Sequence, residues 1–109
     1  MDVNQLIGRQ VRVCAVDFGS PANAVIRSLD LDSNSLLLEF AQPVRIGAQS
    51  YLFAVARPRL KRDHLDTLLR DKLLGCALTC VPQERYDASN PFDLSWWRGG
   101  GAAIADVAL

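Results

Sequence analysis

The chain has 109 residues, enough for one domain over residues 1–109, and no change in composition marks a second. Half of the residues are hydrophobic and 22% are charged, which predicts a packed core and excludes an intrinsically disordered chain. Twelve Lys and Arg balance twelve Asp and Glu, so a strongly basic nucleic-acid coat is excluded, although a local basic patch is not.

The sequence carries no run of about 18 apolar residues that would span a bilayer. Residues 1–5 lack the basic and apolar regions of a signal peptide. We therefore expect a soluble, cytoplasmic protein with no membrane partner.

The first half of the sequence alternates with a period of two, which is typical of β-strands. Strands are predicted over residues 10–16, 22–32, 35–41 and 51–56. In the second of these the apolar alternation changes phase, which predicts a β-bulge or a sharp bend near Arg27. The side chains predicted to point into one core from the third and fourth strands are Leu36, Leu38, Phe40, Phe53 and Val55. Four strands with short connections indicate a small antiparallel barrel.

The second half begins with the helical pattern of this chain, over about residues 64–73. Asp63 is the predicted N-cap residue and Gly75 the predicted end of the helix. A strand over residues 76–81 follows, then a polar loop over residues 82–95 and a C-terminal strand over residues 102–109. The predicted fold is therefore mainly β, with one short helix and a C-terminal strand extension.

A pattern over residues 8–60 resembles one protein family. Asp30 is followed four residues later by Asn34, in a turn before an apolar strand, and the next strand ends at Arg57. This is similar to the Sm-like family of small SH3-like barrels, although Pro58 stands where that family has Gly. The resemblance implies an SH3-like or Sm-like barrel, and an RNA pocket of the kind that Sm rings form between subunits.

The three cysteines, Cys14, Cys76 and Cys80, are an odd number, so they cannot form a complete set of internal disulfides. On a strand, Cys76 and Cys80 lie about 13 Å apart at roughly 3.3 Å per residue, too far for a disulfide or a shared tetrahedral zinc. We expect all three to be reduced and not metal-bound.

No residue pattern favours catalysis. His64 is the only histidine, and no Ser or Cys motif nearby completes a triad with it. Asp30 and Asp32 are explained by turn formation, and there is no phosphate loop or His-Glu-x-x-His motif. We expect a protein that is not an enzyme and has no cofactor; a small hydrolase or metal enzyme is the least favoured alternative.

Two segments are candidates for binding. The first is the basic stretch over residues 57–62, with Arg57, Arg59, Lys61 and Arg62, which is suited either to phosphates and acidic partners or to a solvated loop. The second holds Trp96, Trp97 and Arg98, residue types that are enriched at interface hot spots. The alternative for the tryptophans is that they close the open end of the barrel.

The sequence thus predicts a non-enzymatic β-barrel interaction module, acting through a protein partner or through self-association as a homo-oligomer, with Trp96, Trp97 and Arg98 at the contact. The alternative prediction is an Sm-like RNA-binding protein that uses Asp30, Asn34, Arg57, Arg59, Lys61 and Arg62.

Overall fold

A computed structural model describes residues 3–60, 64–92 and 100–105 of the chain. The strands are β1 (Gln10–Ala15), β2 (Ala22–Asp30), β3 (Ser35–Ile46), β4 (Gln49–Pro58), β5 (Leu73–Val81) and β6 (Gly100–Ala105). The helix α1 (Asp66–Asp71) lies between β4 and β5, and single 3₁₀ turns occupy Val3–Leu6 and Gln83–Arg85. In the described part of the chain, no helix has the length and apolar character needed to cross a bilayer.

Each strand pairs antiparallel with the next, and β6 pairs antiparallel with β1, so that the sheet closes into a barrel. The prediction of a mainly β fold, a small antiparallel barrel with one short helix, is confirmed.

The predicted bulge in β2 is also confirmed. The register of β2 on β3 shifts between Ile26, which faces Leu38, and Ser28, which faces Leu37. One extra residue reverses the alternation, so that Ile26 and Leu29 both turn toward the barrel interior.

The barrel interior is filled by apolar side chains from all six strands. Its buried members from the strands are Val11, Val13, Ala24, Ile26, Leu36, Leu38, Phe40, Ala54, Ala56, Leu74, Cys76, Leu78 and Ile104. One end of the barrel is closed by leucines of the helical region and the first 3₁₀ turn, namely Leu65, Leu68, Leu69 and Leu6. The interior is therefore a packed core and not a channel.

The predicted orientation of β4 is wrong. Phe53 pairs with Glu39, and Val55 pairs with Leu37, so both side chains lie on the outside of the barrel wall. Ala54 and Ala56 are the β4 residues that point inward. Residues 51–56 are apolar on both faces, so their alternation has no polar residue to mark the outer face.

Val55 and Phe53 belong instead to a second apolar cluster, which we call the outer cluster. Its members are Leu37, Val55, Val81, Phe53, Tyr86 and Phe92. Tyr86 and Phe92 come from the segment that follows β5, which therefore folds back over the outer face of the wall.

The helix is shorter than predicted. Leu65 occupies the N-cap position without a side-chain hydrogen bond, and the predicted cap, Asp63, lies outside the described residues. The helix ends because Lys72 adopts a left-handed conformation, with φ of 60°, and not at Gly75, which belongs to β5. The last strand begins at Gly100, earlier than predicted, and residues 106–109 lie outside the described part.

Candidate functional site

The end of the barrel opposite the helix has a cavity of about 620 Å³. Its polar lining includes Asp17, Tyr51, Cys80 and Arg85, at the ends of the strands and in the loops that follow them. The Tyr51 hydroxyl donates a hydrogen bond to Oε1 of Gln49, at 2.9 Å. A carboxylate, a phenol, a thiol and a guanidinium thus line one cavity at this end of the barrel.

The thiols near this cavity are poor nucleophiles. Burial and the neighbouring Asp17 carboxylate raise the pKa of Cys80 to about 11. Burial raises the pKa of Cys76 to about 12, although Arg59 acts in the opposite direction. Both thiols are therefore protonated near neutral pH, while the nucleophilic form is the thiolate. All three cysteines, including the exposed Cys14, are free thiols.

The acidic residues singled out from the sequence are used in a turn. Oδ1 of Asp30 accepts a hydrogen bond from the Asp32 amide at 3.2 Å, and Oδ2 accepts one from the Ser33 hydroxyl at 2.8 Å. Within residues 3–60, 64–92 and 100–105, no three His, Cys, Asp or Glu side chains come together as a metal site. His64 lies exposed just before the helix.

The structure connects two residues of the predicted RNA site. Oγ of Ser33 lies 2.9 Å from Oγ of Ser35, and Nε of Arg57 donates to Oγ of Ser35 at 3.0 Å. A continuous polar chain thus runs from Asp30 through the two serines to Arg57, and we call it the Asp30–Arg57 chain. Asn34 lies in the same turn, in a left-handed conformation with φ of 54°.

The basic stretch divides within the described residues. Arg57 turns toward Ser35 on β3, whereas the guanidinium of Arg59 lies close over Gly101 on β6. The two arginines therefore act on different sides of β4 and do not form one patch by themselves. Lys61 and Arg62 lie outside the described residues.

The residues predicted to bind a protein partner, Trp96, Trp97 and Arg98, also lie outside the described residues. Their role stays a prediction.

An apolar groove lies on the outer cluster. Phe53 and Tyr86 stack in parallel, with ring centroids 4.1 Å apart and planes within 2° of each other. Both residues are half-buried, so part of this stack faces solvent. We call the adjoining groove, of about 290 Å³, the Phe53–Tyr86 groove; its lining is Pro43, Ser50, Leu52, Phe53, Val81 and Tyr86.

Sequence reasoning missed this groove for two reasons. It assigned Phe53 to the barrel interior, and it treated the segment after β5 as a polar loop. The available signal was Tyr86 itself, a large aromatic residue within a polar segment, since such a residue gains stability by packing back onto the fold.

Neither a family model, nor a curated protein, nor a solved structure matches this chain. The structure supports the coarse description, a small closed antiparallel barrel, and the Sm-like character belongs with the proposals below.

Proposed function

We propose that this protein is a non-enzymatic interaction module that binds another protein chain at the Phe53–Tyr86 groove. The observation that carries the proposal is the half-exposed parallel stack of Phe53 on Tyr86 beside Leu52, whose exposure is 41%. The six residues that line the groove carry no formal charge at neutral pH. An uncharged, apolar segment is therefore the occupant that this lining suits best.

Physical chemistry favours aromatic stacks as binding surfaces. A planar ring presents a large contact area and loses little side-chain entropy when it is covered, which is one reason that Tyr is enriched at interface hot spots. Stacking on Phe53 also holds Tyr86 in place before a partner arrives, so less ordering is required on binding.

The chemistry of the described residues supports a role without catalysis. The thiols of Cys76 and Cys80 have raised pKa values, about 12 and 11, and are protonated near neutral pH. Asp30 is engaged by Asp32 and Ser33. Three cysteines cannot all pair within the chain, which fits a reducing compartment, and a cytoplasmic location is part of this proposal.

The proposal is tested by selecting random peptides displayed on phage against the whole protein. We expect selected peptides to be rich in apolar residues and to lose binding to Tyr86→Ala. Tyr86→Phe is the matched control, because it keeps the ring and its stack on Phe53. Thermal melts of both variants verify that they are folded. Peptides that bind Tyr86→Ala as well as the original protein would overturn the proposal.

A second candidate function is RNA binding, and the Asp30–Arg57 chain favours it. These hydrogen bonds bring the turn with Asp30 and Asn34 next to Arg57, near the end of β4, and the same three residues carry the resemblance to Sm-like proteins. The test is binding of a random-sequence single-stranded RNA at several salt concentrations. Phosphate contacts make affinity fall steeply with salt, and Arg57→Gln would then reduce that slope. Absence of binding at low salt would remove this candidate.

A further inference from the structure

The β3–β4 hairpin extends beyond the rest of the barrel wall at the end opposite the helix. The ladder between β3 and β4 shifts register between Glu39 and Val44 and then runs on to Ile46 and Gln49. The ladder between β4 and β5 stops at Phe53 and Val81. Pro82 follows and has no amide hydrogen with which to continue the ladder. In the described part of the chain, residues 49–51 of β4 are therefore paired with a strand on the β3 side alone, and Leu52 lies where the register of β3 on β4 shifts.

The β3 edge of this hairpin carries residues that oppose pairing with another chain. The pairing of β2 with β3 begins at Phe40, so residues 41–46 of β3 also extend past their neighbour. That edge carries Pro43, which removes a donor, and Arg45, which adds a charge. Proline and charged side chains are the means by which proteins keep exposed strand edges from pairing with other chains.

The edge on β4 has neither of these devices. Residues 49–52 are Gln49, Ser50, Tyr51 and Leu52, with no proline and no charge. In an antiparallel ladder, alternate residues direct their N–H and C=O groups away from the neighbouring strand. Residues 49–51, which are in the regular ladder with β3, therefore offer main-chain donors and acceptors on the side away from β3, and the Phe53–Tyr86 groove lies beside them.

We propose that the edge formed by residues 49–52 pairs antiparallel with the same edge of a second copy of this chain. The proposal rests on the proposed function, since it names the second copy as the protein that covers the surface beside the groove. A two-fold axis brings the same residues face to face. Because these residues are uncharged, no like charges meet, whereas two copies of the β3 edge would bring Arg45 against Arg45.

The packing of side chains is consistent with this arrangement. Leu52 is 41% exposed within the groove lining, and it is covered when a second strand lies against the edge. The edge is short, so the interface is small and the association is transient. The dimer should therefore form with rising protein concentration and not be permanent.

The test is sedimentation equilibrium of the full chain over a wide concentration range. We expect a reversible monomer–dimer equilibrium. Ser50→Lys, which places a charge on the β4 edge, should weaken it by roughly tenfold or more. Gln42→Lys is the matched control, since it adds the same charge to the β3 edge of the same hairpin. This variant should leave the equilibrium unchanged.

Amide hydrogen exchange supplies a second measurement that does not depend on a variant. Exchange within residues 49–52 should slow as the dimer forms, while exchange within residues 41–46 should not. A protein that stays monomeric at every concentration, or a Gln42→Lys variant weakened as much as Ser50→Lys, would overturn the inference. A monomer that still selects Tyr86-dependent peptides would overturn this inference alone and leave the proposed function standing.

Discussion

The barrel interior and the outer cluster are two apolar regions on opposite sides of the same wall, and β4 contributes to both. Inward, β4 supplies Ala54 and Ala56, which are fully buried among larger side chains such as Phe40. Outward, it supplies Phe53 and Val55, which are covered by a single segment with half-exposed aromatic rings. The strand thus uses small residues where space is enclosed and large ones where the surface needs covering. Most of the stability should lie on the inner face, and the proposed binding on the outer one.

The largest effect is expected at Phe40. Its ring is 1% exposed and contacts Phe18 edge to face, with centroids 5.8 Å apart. Phe40→Ala should lower the free energy of unfolding by about 3–5 kcal/mol, because it leaves a cavity in the barrel interior. Urea denaturation measures this loss. A loss no larger than that of Phe53→Ala would contradict the division between the two regions.

Enlarging the inner face of β4 should be the next most damaging change. Ala54 is 0% exposed, so Ala54→Leu forces extra atoms into a packed space and should cost about 1–3 kcal/mol. Ala48→Leu, in the exposed turn between β3 and β4, is the control and should have little effect on stability. The comparison is made by thermal melts of both variants. Equal melting temperatures would mean that Ala54 does not face the interior.

Removing the outer stack should cost less. Phe53 and Tyr86 are half-buried, so Phe53→Ala and Tyr86→Ala should each lose about 1–2 kcal/mol, from partial burial and from the ring contact. A double-mutant cycle in urea should show coupling between the two substitutions. Strictly additive losses would show that the stack contributes no stability of its own.

A small gain is expected at Thr79. Thr79 pairs with Val55 of the outer cluster, and its Oγ1 is buried with no hydrogen-bond partner among the described residues. Thr79→Val keeps the shape and removes the unpaired hydroxyl, so it should leave stability unchanged or raise it by up to about 1 kcal/mol. Thr79→Ser retains the hydroxyl and is the control. A clear loss of stability in Thr79→Val would reveal a partner for this oxygen.

Chemical labelling of the thiols should perturb the fold least, because it requires no substitution. Near pH 8, Cys14 should react with a maleimide first, because it is exposed, while Cys76 and Cys80 are held as thiols by pKa values of about 12 and 11. Their labelling should rise only as the pH approaches those values or as the protein is unfolded. Mass spectrometry counts the labels, and rapid modification of all three in the native protein would contradict the placement of two of them inside the barrel.

Much of the wall could be predicted from the sequence, because polar residues mark its faces. In β3, Glu39 between Leu38 and Phe40 identifies the outer side, and those two residues lie inside as predicted. In β2, the phase change near Arg27 correctly indicated the bulge. In β4, residues 51–56 contain no polar residue that distinguishes one face from the other, and the larger side chains were wrongly placed inside.

The candidate groove could not be predicted, because it joins segments that are distant in sequence. Tyr86 reaches Phe53 only after β5 has paired with β4 and the chain has turned back over the wall. The alternation of polar and apolar residues within one strand does not indicate whether a distant segment folds back over that strand. The Asp30–Arg57 chain was accessible from sequence only through a resemblance, which supplied the pair but not the two serines that connect it.

The pairing of β1 with β6 has a consequence for the order of folding. The other five pairings join strands that are consecutive in the chain, whereas the seam joins Val13 to Ile104, from opposite ends of the described sequence. Pairings of high sequence separation form slowly, since the loop-closure entropy must be lost before any contact rewards it. During synthesis the interior therefore stays accessible to water along one side until β6 has left the ribosome. The final closure of that seam should set the rate at which the barrel becomes native.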